Sequence, residues 1–256
     1  MTAALAGRGI LVTRPADQAA GLAALIRAAG GEPIVFPAIE IADMPDLKPL
    51  IALIDRLDAF DLAVFISPSA VNKALNLIRA RREWPARLAA AAVGRGSAKE
   101  LARYGIGRVI APEKRFDSEA LLALPEMGAV AGKRVVIFRG DGGRELLGDT
   151  LAARGASVEY AECYRRVKPG ADAAALLRAW GRNEVAAVTI TSSEGLRNLF
   201  EAIGKLGQAW LKKTPVFVTH PRMAETAREL GIVTVVVTGQ GDEGIVAGLA
   251  QWFAGR

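Results

Sequence analysis

Short apolar segments alternate with helical patterns along the whole chain, and this alternation restricts the fold more than any other feature. One predicted helix face carries apolar residues at the helical spacing: Leu22, Leu25, Ile26 and Ala29. Segments with the length and composition of buried strands lie at Gly9–Val12, Leu62–Ile66, Ala90–Val93, Val135–Phe138, Val185–Ile190, Val216–Val218 and Thr234–Val237. Strands separated by helices favour βα units, so the sequence predicts an α/β fold with parallel sheets.

The chain also repeats itself. VTRPADQAAGLAALIRAAGGEP resembles IFRGDGGRELLGDTLAARGASV, VFISPSAVNKAL resembles VTITSSEGLRNL, AVGRGSAKELARYGI resembles FVTHPRMAETARELGI, and DSEALLAL resembles GDEGIVAGLA. Shifts of 125, 124 and 126 residues relate Arg14 to Arg139, Ser67 to Thr191 and Gly105 to Gly231. All βα units look somewhat alike, but the ordered match of four successive units favours two similar halves.

Two similar α/β halves predict two lobes with a cleft between them. The segments Phe36–Ile41 and Tyr160–Gly170 are extended, contain Pro or Gly, and occupy equivalent places in the repeat. If both are crossovers, one lobe combines residues 1–36 with 168–256, and the other spans 41–163. Residues 37–40 and 164–167 are then the linkers. A length of 256 residues suits two domains.

The amino-acid composition restricts where the protein is expected to work and which partners it is expected to bind. Cys163 is the only cysteine, which excludes an internal disulfide and, with a single histidine, disfavours a zinc site. No apolar run approaches the ~18 residues of a membrane helix, and no signal-peptide pattern is present, so we expect a cytoplasmic protein that binds no membrane. The net charge of +6 favours an anionic partner. Basic residues are scattered without interleaved aromatics, so nucleic acid is not expected.

Several turns at strand ends are suited to binding an anion. Ligands of parallel α/β sheets bind beyond the carboxyl ends of the strands, where helix N-termini present free N–H groups. Five such turns contain small, hydroxyl or basic residues: Ser67-Pro-Ser69, Gly94-Arg-Gly-Ser97, Arg139-Gly-Asp-Gly-Gly-Arg144, Thr191-Ser-Ser193 and Thr219-His-Pro-Arg222. Five turns at equivalent ends of two lobes favour a ligand. The turn GRGSAKELARYG does not match the G-x-G-x-x-G dinucleotide fingerprint, and no P-loop is present.

Helix capping alone is the alternative explanation for each turn. It predicts Ser69 as an N-cap, Ser97 with Glu100 as a capping box, and Pro221 at a first helical position. His220 is a candidate acid or base, but it is equally suited to capping the helix that Pro221 begins.

Other side chains leave two interpretations open. Arg14 and Arg139, at the ends of paired strands, suit a two-pronged carboxylate contact or an ion pair with a neighbouring acid. Tyr160 and Tyr164 lie in a predicted crossover that would face the cleft. There a phenol either donates a hydrogen bond to a leaving group or simply packs. Cys163 is expected to be inert, because no histidine lies near it in sequence.

Six motifs follow one another along the chain: TRP (Thr13–Pro15), FISPSAV (Phe65–Val71), AVGRGSA (Ala92–Ala98), RGDGGREL (Arg139–Leu146), YAECYR (Tyr160–Arg165) and ITSSEGL (Ile190–Leu196). In this order they resemble the motifs of the uroporphyrinogen-III synthases. The resemblance covers essentially the whole chain. Each motif is degenerate, and the order and spacing together carry the specificity. The resemblance implies two flavodoxin-like parallel-sheet lobes joined by a two-stranded linker, one lobe being built from both chain termini.

The resemblance also implies a reaction. Members of the family close hydroxymethylbilane, a linear tetrapyrrole polycarboxylate, to uroporphyrinogen III with inversion of the last ring and loss of water, and they use no cofactor or metal. Hydroxymethylbilane synthase is then a candidate partner for handing over the substrate. A monomer is the default expectation.

The family motifs assign roles to residues of this chain. Tyr164 matches the tyrosine proposed to assist departure of the hydroxyl. Substrate binding is expected at the strand-end turns, by Thr13, Arg14, Ser67, Ser69, Gly94, Arg95, Ser97, Arg139, Gly140, Arg144, Thr191, Ser192, Ser193, His220 and Arg222. The chain departs from the family where His220, Pro221 and Arg222 replace a turn of small residues.

Two other function classes remain open from the sequence. The first is a non-catalytic two-lobed module that binds an acidic small molecule. Tyr164 and the RGDGGR turn favour the synthase over this module. The second is a sugar- or phosphate-processing enzyme. It needs an acid/base pair at the strand ends, and no such pair stands out.

Overall fold

The computed structural model of the chain describes residues 4–170 and 172–255. It divides into two compact units: Met1–Glu40 with Val167–Arg256, and Ile41–Arg166. Each unit contains one sheet, and every strand pair with a described register is parallel. The α/β fold with parallel sheets is therefore confirmed.

The elements follow the alternation of the sequence. The strands are β1 (Gly9–Val12), β2 (Glu32–Val35), β3 (Glu40–Ala42), β4 (Leu62–Phe65), β5 (Ala89–Ala92), β6 (Val109–Ile110), β7 (Arg134–Gly140), β8 (Ser157–Val167), β9 (Val185–Ile190), β10 (Val216–Val218) and β11 (Val235–Val237). The helices are α1 (Ala16–Ala28), α2 (Lys48–Asp55), α3 (Pro68–Arg79), α4 (Arg95–Arg103), α5 (Ser118–Leu122), α6 (Pro125–Gly128), α7 (Leu146–Ala153), α8 (Ala174–Gly181), α9 (Ser193–Ala202), α10 (Gly204–Lys213), α11 (Pro221–Glu229) and α12 (Gly241–Ala254).

The first unit has the strand order β11-β10-β9-β1-β2. Successive residues of a strand point to opposite faces, so β1 contributes to two cores. Ile10 and Val12 pack with α1 and α12, whereas Leu11 packs with the helices of the other face, α8 to α11. Burial on both faces explains why β1 has no polar side chain and why Thr189 is the one polar residue of β9.

The second unit has the order β3-β8-β7-β4-β5-β6. Ala63 and Phe65 of β4 face a core with α2, α3 and α4, and Phe65 stacks on Phe138 at 4.8 Å between ring centroids. Leu62 and Val64 face the opposite core with α5, α6 and α7. The order places β7 between β4 and β8, so the carboxyl ends of these three strands are neighbours.

The repeat is visible at the helix ends. Gly30 follows α1 with φ +84°, and Gly155 follows α7 with φ +88°. The left-handed conformation favours glycine, which explains why both halves carry glycine after an Ala-rich helix. The segment predicted as the second crossover, Tyr160–Gly170, is extended up to Val167, where β8 ends, and β3 lies beside β8 in the sheet.

The described residues contain neither a membrane-spanning helix nor a cluster of metal ligands. No helix there has the length and apolar character needed to cross a membrane. In the same residues, no group of three or more His, Cys, Asp or Glu side chains is placed to hold a metal ion.

Candidate active site

The second unit brings several predicted residues together at one edge of its sheet. Ser67 follows β4, Arg139 and Gly140 end β7, and Tyr164 lies in β8. Because β4, β7 and β8 are parallel neighbours, their carboxyl ends meet at this edge.

Tyr164 is held by the strand and by a helix start. It pairs with Gly140 after a register shift between Arg139 and Gly140, and only 3% of the residue is exposed. Its Oη lies 2.9 Å from Ser67 Oγ. Ser67 Oγ in turn accepts a hydrogen bond from the backbone N–H of Ala70 at 3.1 Å, as the N-cap of α3.

Gly140 makes room for the tyrosine ring. A Cβ at position 140 would lie 2.6 Å from Cε2 and 2.8 Å from Cζ of Tyr164. Non-bonded carbons do not approach this closely, so any side chain at Gly140 would displace the ring. This requirement gives Gly140 a steric role in addition to the backbone N–H contacts expected of a turn.

The surroundings keep the Tyr164 phenol protonated. Burial raises the pKa of Tyr164, and the hydrogen bond with Ser67 lowers it by a smaller amount. Removing a phenol from water disfavours the charged phenolate. Tyr164 is therefore a hydrogen-bond donor at neutral pH, as an acid catalyst must be.

Arg139 lies near the end of the neighbouring strand β7, on the face of the sheet opposite to Tyr164. The residue is 5% exposed, and its guanidinium carbon lies 4.8 Å from the centroid of the Tyr160 ring. Its Nε donates to the carbonyl of Gly140 at 3.3 Å. Among the described residues, no carboxylate forms an ion pair with Arg139 within 4.0 Å. A buried guanidinium without an acid is suited to binding an anionic ligand.

Two glycines leave space for the side chains of Arg139 and Tyr160. A Cβ at Gly143 would lie 2.9 Å from Nη2 of Arg139, and one at Gly148 would lie 2.0 Å from Oη of Tyr160. Sequence reasoning missed the stacking of Arg139 on Tyr160 and the part played by Gly148. A glycine inside the helical pattern LLGDTLAA was the available signal, because mid-helix glycine is destabilising without a packing reason.

The other two arginines predicted to bind substrate in this unit already have contacts within it. Arg144 forms an ion pair with Glu119 at 2.6 Å, and its hydrogen bond to that carboxylate is the main cause of the lowered pKa of Glu119. The guanidinium carbon of Arg95 lies 5.2 Å from the ring centroid of Phe116. Both arginines are exposed, so a ligand could recruit them without a large desolvation cost.

The predicted caps of this unit are wrong in two places. The N-cap of α3 is Ser67, and Ser69 is a buried residue inside the helix. Pro68 takes the first helical position, which suits its fixed φ, and this sets the cap one residue before it. The N-cap of α4 is Gly94, and Ser97 is buried in the third position of the helix. Ser97 and Glu100 therefore form no capping box, because the helix begins as soon as the short turn after β5 ends.

Thr13 and Arg14 of the first unit are engaged within that unit. Thr13 Oγ1 donates to the carbonyl of Thr189 at 2.8 Å, and Thr189 Oγ1 donates to the carbonyl of Leu11 at 2.9 Å. These bonds tie β1 to β9, so the position favours a structural role for the Thr13 hydroxyl. Arg14 forms an ion pair with Asp242 at 2.5 Å, which is the alternative that its sequence position left open.

The remaining turns of the first unit are capped helix starts. Ser192 Oγ accepts from the N–H of Gly195 at 3.1 Å, and Ser193 Oγ accepts from Thr226 Oγ1 at 3.1 Å. Thr191 lies between β9 and this cap, and it is partly exposed.

His220 is the N-cap of α11. Its Nδ1 accepts a hydrogen bond from the N–H of Arg222 at 3.2 Å, so the capping explanation of His220 has direct geometric support. Pro221 occupies the first helical position, as predicted, and the Arg222 side chain is exposed.

Cys163 is buried in the core of the second unit. Its Sγ donates to the carbonyl of Ala161 at 3.2 Å, and burial raises the pKa of the thiol to about 12. A thiol nucleophile needs a thiolate at working pH. The position therefore agrees with the expectation of an inert cysteine.

The sequence of the chain matches a known protein family. Residues 20–246 match the family model described as Uroporphyrinogen-III synthase HemD. The chain belongs to the uroporphyrinogen-III synthase family. The family resemblance that the motifs indicate is thereby confirmed, and with it the assignment of the chain as a cyclising lyase of tetrapyrrole biosynthesis.

Relatives and solved structures of the family match nearly the whole length of the chain. The uroporphyrinogen-III synthase of Escherichia coli K12 is 37% identical over 91% of this chain and 96% of the relative. That of Synechococcus elongatus is 30% identical over 97% and 96%. A mutant uroporphyrinogen III synthase of Thermus thermophilus has a TM-score of 0.61 at 19% identity, covering 98% of this chain and 100% of the other. The Helicobacter pylori 26695 synthetase has a TM-score of 0.59 at 14% identity with the same coverage. At these identities the structures support the two-lobed fold alone.

Proposed function

We propose that this synthase closes hydroxymethylbilane to uroporphyrinogen III, and that Tyr164 is its acid catalyst. The observation that carries the role of Tyr164 is its placement. A buried, protonated phenol is fixed between Ser67 and Gly140 at the carboxyl end of β8, with Arg139 on the other face of the neighbouring strand.

The chemistry needs a proton donor at its first step. The C–O bond to the terminal hydroxyl breaks, and the electron pair of the pyrrole nitrogen in that ring replaces it, which gives a conjugated azafulvene cation. The Tyr164 hydroxyl gives its proton to the departing oxygen, which leaves as water. The substituted carbon of the last ring then attacks, and the spiro intermediate fragments and closes again inverted. The proton that the ring carbon releases on final closure restores the phenol, so the sum is macrocycle plus water.

The enzyme has to control geometry more than reactivity. Ring closure without inversion is intrinsically easy, so the protein must hold the chain where the substituted carbon attacks. Positioning contributes about 7–11 kcal/mol in favourable cases. Strand-end hydroxyls, turn N–H groups and arginines hold carboxylates without adding a competing nucleophile.

We assign the binding of substrate carboxylates to arginines that are exposed to solvent or that have no carboxylate partner in the protein. Arg139 is the strongest of these, because its buried guanidinium has no carboxylate within 4.0 Å among the described residues. The exposed arginines Arg95, Arg144 and Arg222 are further sites, and Arg144 would exchange Glu119 for a substrate carboxylate. The net charge of +6 supports a polyanionic substrate.

The setting of the reaction belongs to the same proposal. Residues 37–40 and 164–167 are the linkers of a single monomeric chain, which acts in the cytoplasm. Hydroxymethylbilane synthase supplies the substrate, because the bilane is too reactive to accumulate. The free thiol of Cys163 is compatible with a reducing compartment.

Isomer analysis tests the proposal. Hydroxymethylbilane is generated in situ, the purified protein is added, and the products are oxidised and separated by chromatography. We expect isomer III to predominate, with isomer I in the control without enzyme. Isomer I alone would overturn the proposal, and bilane binding without isomer III would support the non-catalytic module.

The tyrosine is tested by Tyr164→Phe, which keeps the ring and removes the hydroxyl. We expect kcat to fall by about 10²–10⁴-fold, the usual contribution of general acid catalysis, with circular dichroism unchanged. Full activity in this variant would remove Tyr164 from the mechanism while leaving the synthase assignment intact.

A further inference from the structure

A chain of three polar groups ends at the Tyr164 hydroxyl. The Ala70 N–H donates to Ser67 Oγ at 3.1 Å, and Ser67 Oγ lies 2.9 Å from Tyr164 Oη. All three residues belong to the second unit. Distances alone leave the direction of the second hydrogen bond open, since either oxygen can be the donor.

The number of hydroxyl hydrogens distinguishes the two possible directions of the hydrogen bond between Ser67 and Tyr164. Each hydroxyl has one hydrogen, and the contact between Ser67 and Tyr164 uses only one of the two. If Tyr164 donates to Ser67, the acidic hydrogen points into the protein and is withheld from the substrate. If Ser67 donates to Tyr164, the hydrogen of Tyr164 is free to face the leaving hydroxyl.

The electrostatics favour the second direction during catalysis. Ser67 caps α3, a helix of 12 residues, whose N-terminus carries a partial positive charge. As Tyr164 loses its proton, negative charge develops on Oη. A hydrogen bond from Ser67, itself polarised by the Ala70 N–H, stabilises that charge. Donation in the opposite direction would give no such stabilisation.

Neighbouring atoms fix the ring of Tyr164, so that only its hydroxyl hydrogen can still change direction. The ring of Tyr164 lies against the Cα of Gly140 and within the core that includes Ala161 and Phe138. Because the ring is fixed, rotation about the C–O bond decides where the acidic hydrogen points, and the contact with Ser67 sets that rotation.

We infer that Ser67 is a positioning residue that donates a hydrogen bond to Tyr164 and thereby directs the phenol hydrogen toward the leaving hydroxyl of the substrate. The inference rests on the proposed role of Tyr164 and adds a second residue to it.

A double-mutant cycle tests the inference with the full chain. The variants are Ser67→Ala, Tyr164→Phe and the combination, and kcat and KM for isomer III formation are measured for each. We expect Ser67→Ala to lower kcat on the order of tenfold, a fraction of the full acid contribution, with a smaller change in KM. In the Tyr164→Phe background, Ser67→Ala should leave kcat unchanged, because the group on which it acts is gone.

Two variants separate positioning from stability. Ser67→Thr keeps the hydroxyl and the cap, so it should restore most of kcat. Asp117→Ala removes the N-cap of α5 in the same unit, where Asp117 accepts from the Ala120 N–H at 2.8 Å. We expect Asp117→Ala to lower the urea midpoint of unfolding, as the loss of the cap in Ser67→Ala also should. Unlike Ser67→Ala, it should retain the wild-type kcat.

The outcomes distinguish the two proposals. Full activity of Tyr164→Phe would overturn the role of Tyr164 and the inference with it. If Tyr164→Phe is slow but Ser67→Ala lowers kcat equally in both backgrounds, the inference alone fails. Wild-type kcat in Ser67→Ala would also overturn it.

Discussion

At the scale of the residue, two glycines act by leaving space that tyrosines occupy. Gly140 adjoins the Tyr164 ring, and Gly148 adjoins the Tyr160 hydroxyl. Neither has positive φ, so the requirement is for volume and not for backbone freedom. The two tyrosines lie on β8, four residues apart, on opposite sides of the end of β7.

Gly140→Ala should impair catalysis more than folding. The added methyl group would displace the Tyr164 ring and lengthen its contact with Ser67. We expect kcat to fall by about tenfold or more, given how steeply catalysis depends on placement, with the circular dichroism spectrum retained. Gly107→Ala is the matched control, because no atom lies within 4 Å of a Cβ there and its φ is not positive. Equal activity of the two variants would contradict the steric role of Gly140.

Gly148→Ala should destabilise the protein although it lies inside α7. Alanine in place of a mid-helix glycine normally stabilises by about 1 kcal/mol. Here the methyl group would meet Tyr160 Oη, and overpacking costs about 1–3 kcal/mol. A lower urea midpoint is expected, and the added substitution Tyr160→Ala should recover part of it. A gain of about 1 kcal/mol in Gly148→Ala would show that the ring moves freely.

At the scale of the element, apolar strands were predictable and contacts between elements were not. β1, β9 and β10 have the predicted bounds, because a strand buried on both faces is almost entirely apolar. The N-cap of α3 was misplaced because the effect of Pro68 on the helix start was overlooked. The sequence placed Arg139 at a turn, but β7 continues to Gly140 and buries it. Its stacking on Tyr160 depends on the register of β8 against β7, which no local pattern encodes.

Cys163 reports on the integrity of β8. Its side chain is buried, and the thiol has a pKa of about 12 against an ordinary value of 9.0. At pH 8 the native protein should therefore resist Ellman's reagent, and one thiol per chain should react in urea. Rapid labelling of the native protein would mean that the strand bearing Tyr164 opens locally.

The same thiol contributes to the pH dependence of stability. Its folded-state pKa is raised, so its contribution is fully present below pH 9.0 and is lost as pH rises toward 12. Cys163→Ala should make the decline of the urea midpoint over this range shallower. An unchanged slope would contradict the contribution.

At the scale of the whole molecule, the two units differ in how the chain builds them. The second unit is continuous from Ile41 to Arg166, and its six-stranded sheet and both core clusters use almost only its own residues. The first unit is discontinuous. Its strand β1 lies between β2 and β9, and β9 comes from the later segment.

This difference predicts that the second unit folds alone and that the N-terminal segment does not. A fragment of residues 41–166 should show helix and strand signals and a single cooperative urea transition, because a continuous unit with its own core is a folding domain. A fragment of residues 1–40 holds only β1, α1 and β2, and the face of β1 that pairs with β9 would be open, so it should be unfolded. Mixing it with residues 167–256 should restore structure. Failure of residues 41–166 to unfold cooperatively would mean that the first unit is needed to complete the second, and hence that Ser67 and Tyr164 depend on it for their contact.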